Sequence, residues 1–539
     1  MNNRINNSFN NSFNNSINNS INNSIKNPLI KGTIVLTLAG LFCRILGFYY
    51  RIFLNTHIGA YGMGMLQLIT PLCGIAFSVC ICGFNSAISR YTAADQQSLK
   101  PLISGLFLSI PMSVIFSALC YIYAETIAEK IMLNTDCTEL IRIIVISIPL
   151  SAVHSCICGY YYGCRSAFIP AASQIAEQLV RIFGVIFYYY IFIQRSDRTL
   201  NITDAIYGNI AGELCAVIFC VLALYTKKIK KHYKRENLSS LNPTTKGKIY
   251  TLIKNLALYA LPLNLNSLLV HLLESGEAIL IPVQLMLYGM NNENAVSTYG
   301  IIGGMVIPLI MFPGAITNSL AVMLTPKISK DSSTNQSNNI TRTISYTICV
   351  CMHLGIMCCI LFVLYISRLG AIIFKQPDVY TYTIILACVC PFLYLKVSLS
   401  SILNGINKTS FTCAANITGL IIRIGFLIIL VPRIGICGYI YGLIISNIVV
   451  CMLNYIKLYT IYHFKTDVIN NIICPLSMSV ISIASVLIAE KAAFIMLPFL
   501  SQNISYTTAL IAKCIASCLV YIIIFIVMYS SCHRTIQPD

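Results

Sequence analysis

The stretch T-I-V-L-T-L-A-G-L-F-C-R-I-L-G-F-Y-Y-R-I-F-L, Thr33 to Leu54, decides how the chain is read. About 20 consecutive apolar residues suffice to cross a bilayer as a helix. Apart from Arg44 and Arg51, this run could lie in lipid. An arginine near the bilayer centre costs at least about 2.5–3.5 kcal/mol, so it is expected to face a polar cavity or a partner. The two arginines stand seven apart, which is two helical turns, so they project from nearly one face. A cationic stripe on a buried helix points to an anionic client. The competing reading is a structural pair bonded to backbone carbonyls of neighbouring helices.

The rest of the chain agrees with a membrane setting. Of its 539 residues 57% are hydrophobic and only 10% are charged, where soluble domains carry about 25% charge. Backbone groups in lipid must be satisfied internally, and non-alternating runs of this length do so as helices. There is no Trp, so the 32 Tyr are expected to form the interfacial belts. The 24 Cys are scattered through apolar runs and read as small core residues with free thiols. Cys349 and His353 are one turn apart, but they lack a polar surround, so no metal site is assigned. The net charge of +18 could signal nucleic acid in a soluble protein. Here much of it lies in short loops, where it sets topology and attracts anionic membrane lipid. No nucleic-acid partner is expected.

Residues 1–30 form an Asn/Ser-rich tail in which N-N-S-[F/I] recurs from Asn6 to Ile25, too poor in apolar residues to build a core. Fourteen apolar segments follow. Their approximate spans begin at 32–54 and 63–89, and one continuous apolar region, 279–324, reads as a short connection and a helix starting near 297. Lysine and arginine gather on the loops facing one side, with eight in Lys227–Lys248 alone. The positive-inside rule then makes both termini cytoplasmic in a multi-pass protein of the cell membrane.

An internal repeat divides the chain. Gly163–Arg181 and Gly405–Arg423 have equal length, with Ala172/Ala414, Ile175/Ile417, Arg181/Arg423 and Ile182/Ile424 in register. Downstream, Ile206-Tyr207-Gly208 matches Ile440-Tyr441-Gly442. The expected fold is all-α and polytopic, with about 14 transmembrane helices. Two six-helix lobes, 31–226 and 250–460, are related by a pseudo-two-fold along the membrane normal. A basic cytoplasmic linker, 227–249, joins them, and two further helices with a short tail occupy 461–539.

Few acids lie in the spans. Glu177 and Arg181 are one turn apart and read as a structural ion pair. The repeat mate keeps Arg423 but has Gly419 in place of the acid, which makes Arg423 a candidate ligand for an anionic headgroup. Glu213 reads as an isolated site or one paired with a neighbouring helix. His271, Glu274 and Glu277 are spaced by threes and suit coupling to a proton or cation; the alternative is hydrated acids at an outer helix end. Lys396 and Lys513 read as snorkelling or touching lipid. Phosphate loops and the motifs H-E-x-x-H and G-x-S-x-G are absent, so the chain is expected to move a substrate, not convert one.

Lys31 to Pro71 resembles the opening of the stage V sporulation protein B family, polysaccharide-biosynthesis flippases of the multidrug/oligosaccharidyl-lipid/polysaccharide superfamily. Further matches are Tyr299-Gly300, Gly304-Met305, Pro308-Leu309 and Leu403 through Lys408. The resemblance implies alternating access to a central cavity. It also implies a polyprenyl-diphosphate-linked saccharide as substrate, such as a peptidoglycan or spore-cortex precursor or a polysaccharide repeat unit. Related lipid II flippases carry R-x-L-G-F in helix one, matched by Arg44–Phe48, then an Arg-Asp pair where Tyr50-Arg51 stand here. On this reading Arg44, Arg51, Arg181 and Arg423 bind substrate, and no cofactor is needed beyond a proton or sodium gradient or the membrane potential. Two other functions fit a membrane chain of this kind: a cation-coupled multidrug exporter of the same fold, and a non-transporting scaffold for cell-wall synthesis proteins.

Overall fold

The computed structural model describes residues 28–94, 98–195, 199–232, 245–464, 469–496 and 506–535. The tail expected at 1–30 falls outside them but for its last three residues, as do 233–244 of the basic linker. The described chain is helical throughout, without strands. In order the helices are α1 Pro28–Cys80, α2 Cys82–Ala94, α3 Lys100–Ile122, α4 Cys137–Ile144, α5 Ser147–Gly163, α6 Phe168–Tyr188, α7 Ile202–His232 and α8 Thr245–Leu287. There follow α9 Asn292–Gly300, α10 Ile307–Met311, α11 Gly314–Ser333, α12 Ser337–Leu361, α13 Ser367–Phe374, α14 Asp378–Ala387 and α15 Cys390–Gly405. The last are α16 Thr409–Ile434, α17 Ile436–Tyr462, α18 Cys474–Met496 and α19 Tyr506–Thr535.

Among the described residues, twelve helices are long and apolar enough to cross a membrane, and the bent pair α14–α15 makes thirteen if taken as one span. One of the twelve, Val35–Ala94, runs 60 residues. It breaks at Gly59, whose φ of 71° ends the regular helix. Counting its two arms separately brings the number to the fourteen expected. The surface is studded with large apolar side chains such as Phe107, Phe187 and Ile488, each about two-thirds exposed. Water would reject such a surface and acyl chains accept it.

The chain divides into two compact units. Of the described residues, one unit holds those up to Gly47 together with those of Ile69–Ser275, and the other holds Phe48–Leu68 together with those from Gly276 on. The breaks between the units fall inside helices, at Gly47/Phe48 in α1 and at Ser275/Gly276 in α8, which runs from Thr245 to Leu287. In the first unit its early turns are knitted to α1 and α2: Asn264 donates to Val79 O at 3.1 Å and accepts from Gly83 N at 2.6 Å. The first unit's core gathers Phe84, Ile88, Ile157, Tyr160, Tyr161 and Leu256. The second unit has one core around Ile344, Leu399, Ile402 and Phe464, and another where α18 and α19 bring Met478 and Tyr521 onto Leu361.

The expected connection within 279–324 is placed differently. Span seven does not end near 274 but continues to Leu287, and the next helix starts at Asn292. Asn291 caps it, its side chain accepting from Asn294 N at 2.8 Å. An asparagine at this position satisfies an otherwise unpaired helix donor.

The sequence repeat corresponds to one packing motif built twice, α6 on α7 and α16 on α17. A Cβ on Gly208 would stand 2.2 Å from Val185 Cγ2 and 3.2 Å from Arg181 O. A Cβ on Gly442 would stand 2.8 Å from Phe426 Cβ and 3.6 Å from Arg423 O. Each I-Y-G glycine thus lets its helix close onto the turn that carries the repeated arginine, the small-residue contact typical of membrane helices. Replacing Gly208 or Gly442 by Val is expected to cost about 1–3 kcal/mol through overpacking. Thermal unfolding of the detergent-solubilised protein should show both losses. Gly425→Ala, where no atom lies within 4 Å of the added methyl, should leave the transition unchanged or raise it.

Candidate functional site

On α1, Ala39, Cys43, Tyr50 and Leu54 are buried and fall on one stripe. Cys43 Sγ lies 3.8 Å from Gln174 O of α6. Arg44 and Arg51 each follow a buried residue by one position, about 100° around the helix, so both flank the stripe on the same side. Arg44 is exposed and Arg51 is half-buried. Among the described residues no carboxylate forms an ion pair with Arg44.

The repeated arginines are handled differently. Arg181 Nη1 is 4.0 Å from Glu177 Oε1, the long edge of an ion pair, and donates to Asn209 Oδ1 at 3.2 Å. Its Nη2 donates to Gln178 Oε1. Arg423 has no acid on its own helix, because a Cβ at Gly419 would meet Val450 Cγ2 at 2.5 Å and no glutamate fits there. It takes an acid from α8 instead: Arg423 Nη2 lies 3.0 Å from Glu277 Oε2, and Tyr439 OH donates to Glu277 Oε1 at 2.9 Å. The expectation of an arginine without a local partner therefore resolves into a tertiary pair in which the glutamate side chain is 7% exposed.

The three spaced residues of span seven are divided between the two units. His271 belongs to the first unit, where Nδ1 lies 3.0 Å from Ser267 O, and its ring approaches Phe77 and Gly74. Glu274 is exposed, and Glu277 belongs to the second unit. Glu277 is not a hydrated acid at a helix end, because α8 runs ten residues past it and its carboxylate is buried against Arg423 and Tyr439. The two late lysines are paired, not snorkelling: Lys396 Nζ donates to Asn447 Oδ1 at 2.7 Å, and Lys513 Nζ lies 2.6 Å from Glu490.

One cluster was not anticipated as a whole. In the first unit Glu213 of α7 meets His154 of α5, with Oε2 3.4 Å from Nδ1. Both line a cavity of about 350 Å³, together with Asn85, Ser151, Cys158 and Asn209. His154 and Cys158 are spaced by four and Glu213 and Cys220 by seven, so each pair shares a helix face; that spacing was the available signal. Cys349 Sγ lies 3.6 Å from His353 Nδ1, and the His353 ring packs on Tyr521 and Phe525. The cysteines of the described residues are free thiols.

Comparison with known proteins sets this geometry in a family. Residues 29–330 match the family model described as polysaccharide biosynthesis protein. The chain is 24% identical to stage V sporulation protein B of Bacillus subtilis (strain 168) over 79% of its own length and 82% of that protein's. Among solved structures, a lipid II flippase MurJ in an inward closed conformation superposes with a TM-score of 0.64 at 13% identity, over 93% of this chain and all of that one. An inward-facing multidrug resistance transporter of the MATE family and MOP superfamily gives 0.58 at 14% identity, over 79% of this chain and 94% of the other. These superpositions establish the fold.

The buried pair sets a stability test. Removing one member of a buried ion pair costs about 3–5 kcal/mol, since the other is left uncompensated. Arg423→Ala strands the more deeply buried partner and should lower the unfolding temperature more than Glu277→Gln, which keeps a hydrogen-bonding group against Tyr439. The double variant should lose less than the sum of the two, and melting curves of all four proteins read the coupling.

Proposed function

Because this chain belongs to the polysaccharide biosynthesis protein family, we propose that it is a flippase for a polyprenyl-diphosphate-linked saccharide, a peptidoglycan or spore-cortex precursor or a polysaccharide repeat unit. It works in the cytoplasmic membrane by alternating access, with both termini on the cytoplasmic side. It is a transporter and not an enzyme. The observation that carries this reading is Arg44, an exposed guanidinium on a membrane helix with no paired carboxylate among the described residues. A guanidinium offers paired donors at fixed geometry to phosphate oxygens and stays charged at any relevant pH. Arg51, two turns on, presents a second cation from the same side of the helix. Together they suit a diphosphate, while the prenyl tail stays in lipid. Arg181 and Arg423 already spend charge on Glu177 and Glu277. Their part is to hold α6 and α16 in place and to supply positive potential, with α1 making the grip. Transport draws on a proton or sodium gradient or on the membrane potential.

The multidrug exporter reading shares the fold. Holding a cationic drug calls for an acid where helix one offers arginines, which weighs against it.

Vesicles reconstituted with the protein and defined polyprenyl-diphosphate saccharides test the proposal by scoring headgroup exposure. Each lost charge-assisted contact is worth about 1.5–3 kcal/mol, so Arg44→Ala with Arg51→Ala should slow translocation by about a hundredfold or more at equal protein. Undiminished flipping by the double variant would reject the mechanism. Efflux of cationic drugs that depends on Glu274 or Glu277 would move the assignment to the exporter.

A further inference from the structure

The first unit contains a group of ligating side chains that saccharide transport does not use. His154 and Cys158 stand one turn apart on α5, and Cys220 faces them from α7. A ring nitrogen of His154 and the two sulfurs all lie within 4.8 Å of one another. The two sides of the imidazole are differentiated. Nδ1 lies 3.4 Å from Glu213 Oε2. Nε2 lies 3.0 Å from Ser173 Oγ, which is 3.8 Å from Cys158 Sγ. Cys158 Sγ is thus on the Nε2 side, with Cys220 Sγ within 4.8 Å of it, and the carboxylate is on the other side. Both cysteines are buried, while His154, Cys158 and Glu213 also wall the cavity of about 350 Å³ through which a small ion can arrive.

We infer that His154 Nε2, Cys158 Sγ and Cys220 Sγ bind a zinc-class divalent ion, with Glu213 holding the imidazole through Nδ1 and the fourth position filled by Ser173 or a cavity water. Metal–sulfur bonds of about 2.3 Å and metal–nitrogen bonds of about 2.0–2.1 Å set tetrahedral ligands about 3.3–3.8 Å apart. The present spread closes to that with small side-chain shifts. Two sulfurs and one imidazole are the donor set that selects zinc over hard cations. A carboxylate on the far nitrogen is the usual orienting partner of a ligating histidine. Binding releases both thiol protons, and the two thiolates cancel the charge of the ion, which suits a site inside a membrane. His154 also lies within 4.8 Å of the ligand atoms of Glu177 and Glu213. That triad is less suited to a cation, because the Arg181 guanidinium stands against Glu177. An ion on the sulfur side would clamp α5 to α7 beside the cavity.

The experiment uses the full chain purified in detergent without chelator. Elemental analysis should find one zinc per chain, and cobalt added to the stripped protein should produce thiolate-to-cobalt charge-transfer absorption. Cys158→Ser with Cys220→Ser, or His154→Ala, should abolish both signals. Glu177→Gln should keep both, and Glu213→Gln should keep the spectrum while weakening cobalt binding ten- to a hundredfold. The inference is overturned if the wild-type protein takes up neither metal. It is equally overturned if the ion survives loss of both cysteines and vanishes with Glu177→Gln, or if alkylated peptides reveal a Cys158–Cys220 disulfide. None of these readouts depends on flipping, so the metal site and the transport reading fail separately.

Discussion

A charge carried into the hydrocarbon core must be matched within reach, or the helix that bears it will not stay there. That cost, several kcal/mol for an uncompensated group, organises the polar interior of this protein. Arg181 meets it with Glu177, Asn209 and Gln178, and Arg423 meets it with Glu277, while Lys396 uses Asn447 and Lys513 uses Glu490. Each match ties together elements that hydrophobicity alone would leave free to slide, because lipid tails are as apolar as the side chains they would replace. The Glu277–Arg423 pair is the strongest instance. It joins α8 to α16 and is locked by the Tyr439 hydroxyl from α17, so one carboxylate fixes three helices.

The other half of the packing comes from small residues. Gly208 and Gly442 bring α7 and α17 onto the arginine-bearing turns of α6 and α16. Close backbone approach then puts side-chain hydroxyls and amides within bonding range. Thr325 reaches Ser401 at 2.7 Å and Asn454 reaches Ser400 at 2.8 Å across helix pairs. The many cysteines serve the same end as small, slightly polar fillers, apart from the pair beside His154, whose placement next to an imidazole and a carboxylate gives it a chemistry of its own. Against this background of matched charge, Arg44 stands out as an exposed guanidinium on α1, which is why the proposed grip on an anion is assigned to it.

Much of the fold was legible in the linear chain. Segment length and composition sufficed for an all-helical membrane protein, and the two copies of the arginine block marked a motif that the structure builds twice. Element ends were less legible. Nothing in the run from 250 to 287 told the helix to continue past Glu274, because Gly276 is tolerated inside a helix and the stop lies at Gly289. The same continuation turned Glu277 from an end-of-helix acid into a buried partner. Cys158 and Cys220 carry little signal in the sequence because each is one of many cysteines in apolar runs; only their shared faces with His154 and Glu213 set them apart.

The sequence by itself therefore determined what depends on neighbours along the chain: which segments are long and apolar enough to enter lipid, where the arginine block repeats, and which face of α1 carries its arginines. Partnership was decided by tertiary structure. Arg423 and Glu277 are 146 positions apart, and His154 and Cys220 are 66 apart. No periodicity links residues at such distances. Helix periodicity reports only the face a side chain shares with residues a few positions away, whereas the groups that neutralise a buried charge or complete a ligand set come from whichever helices pack against that face.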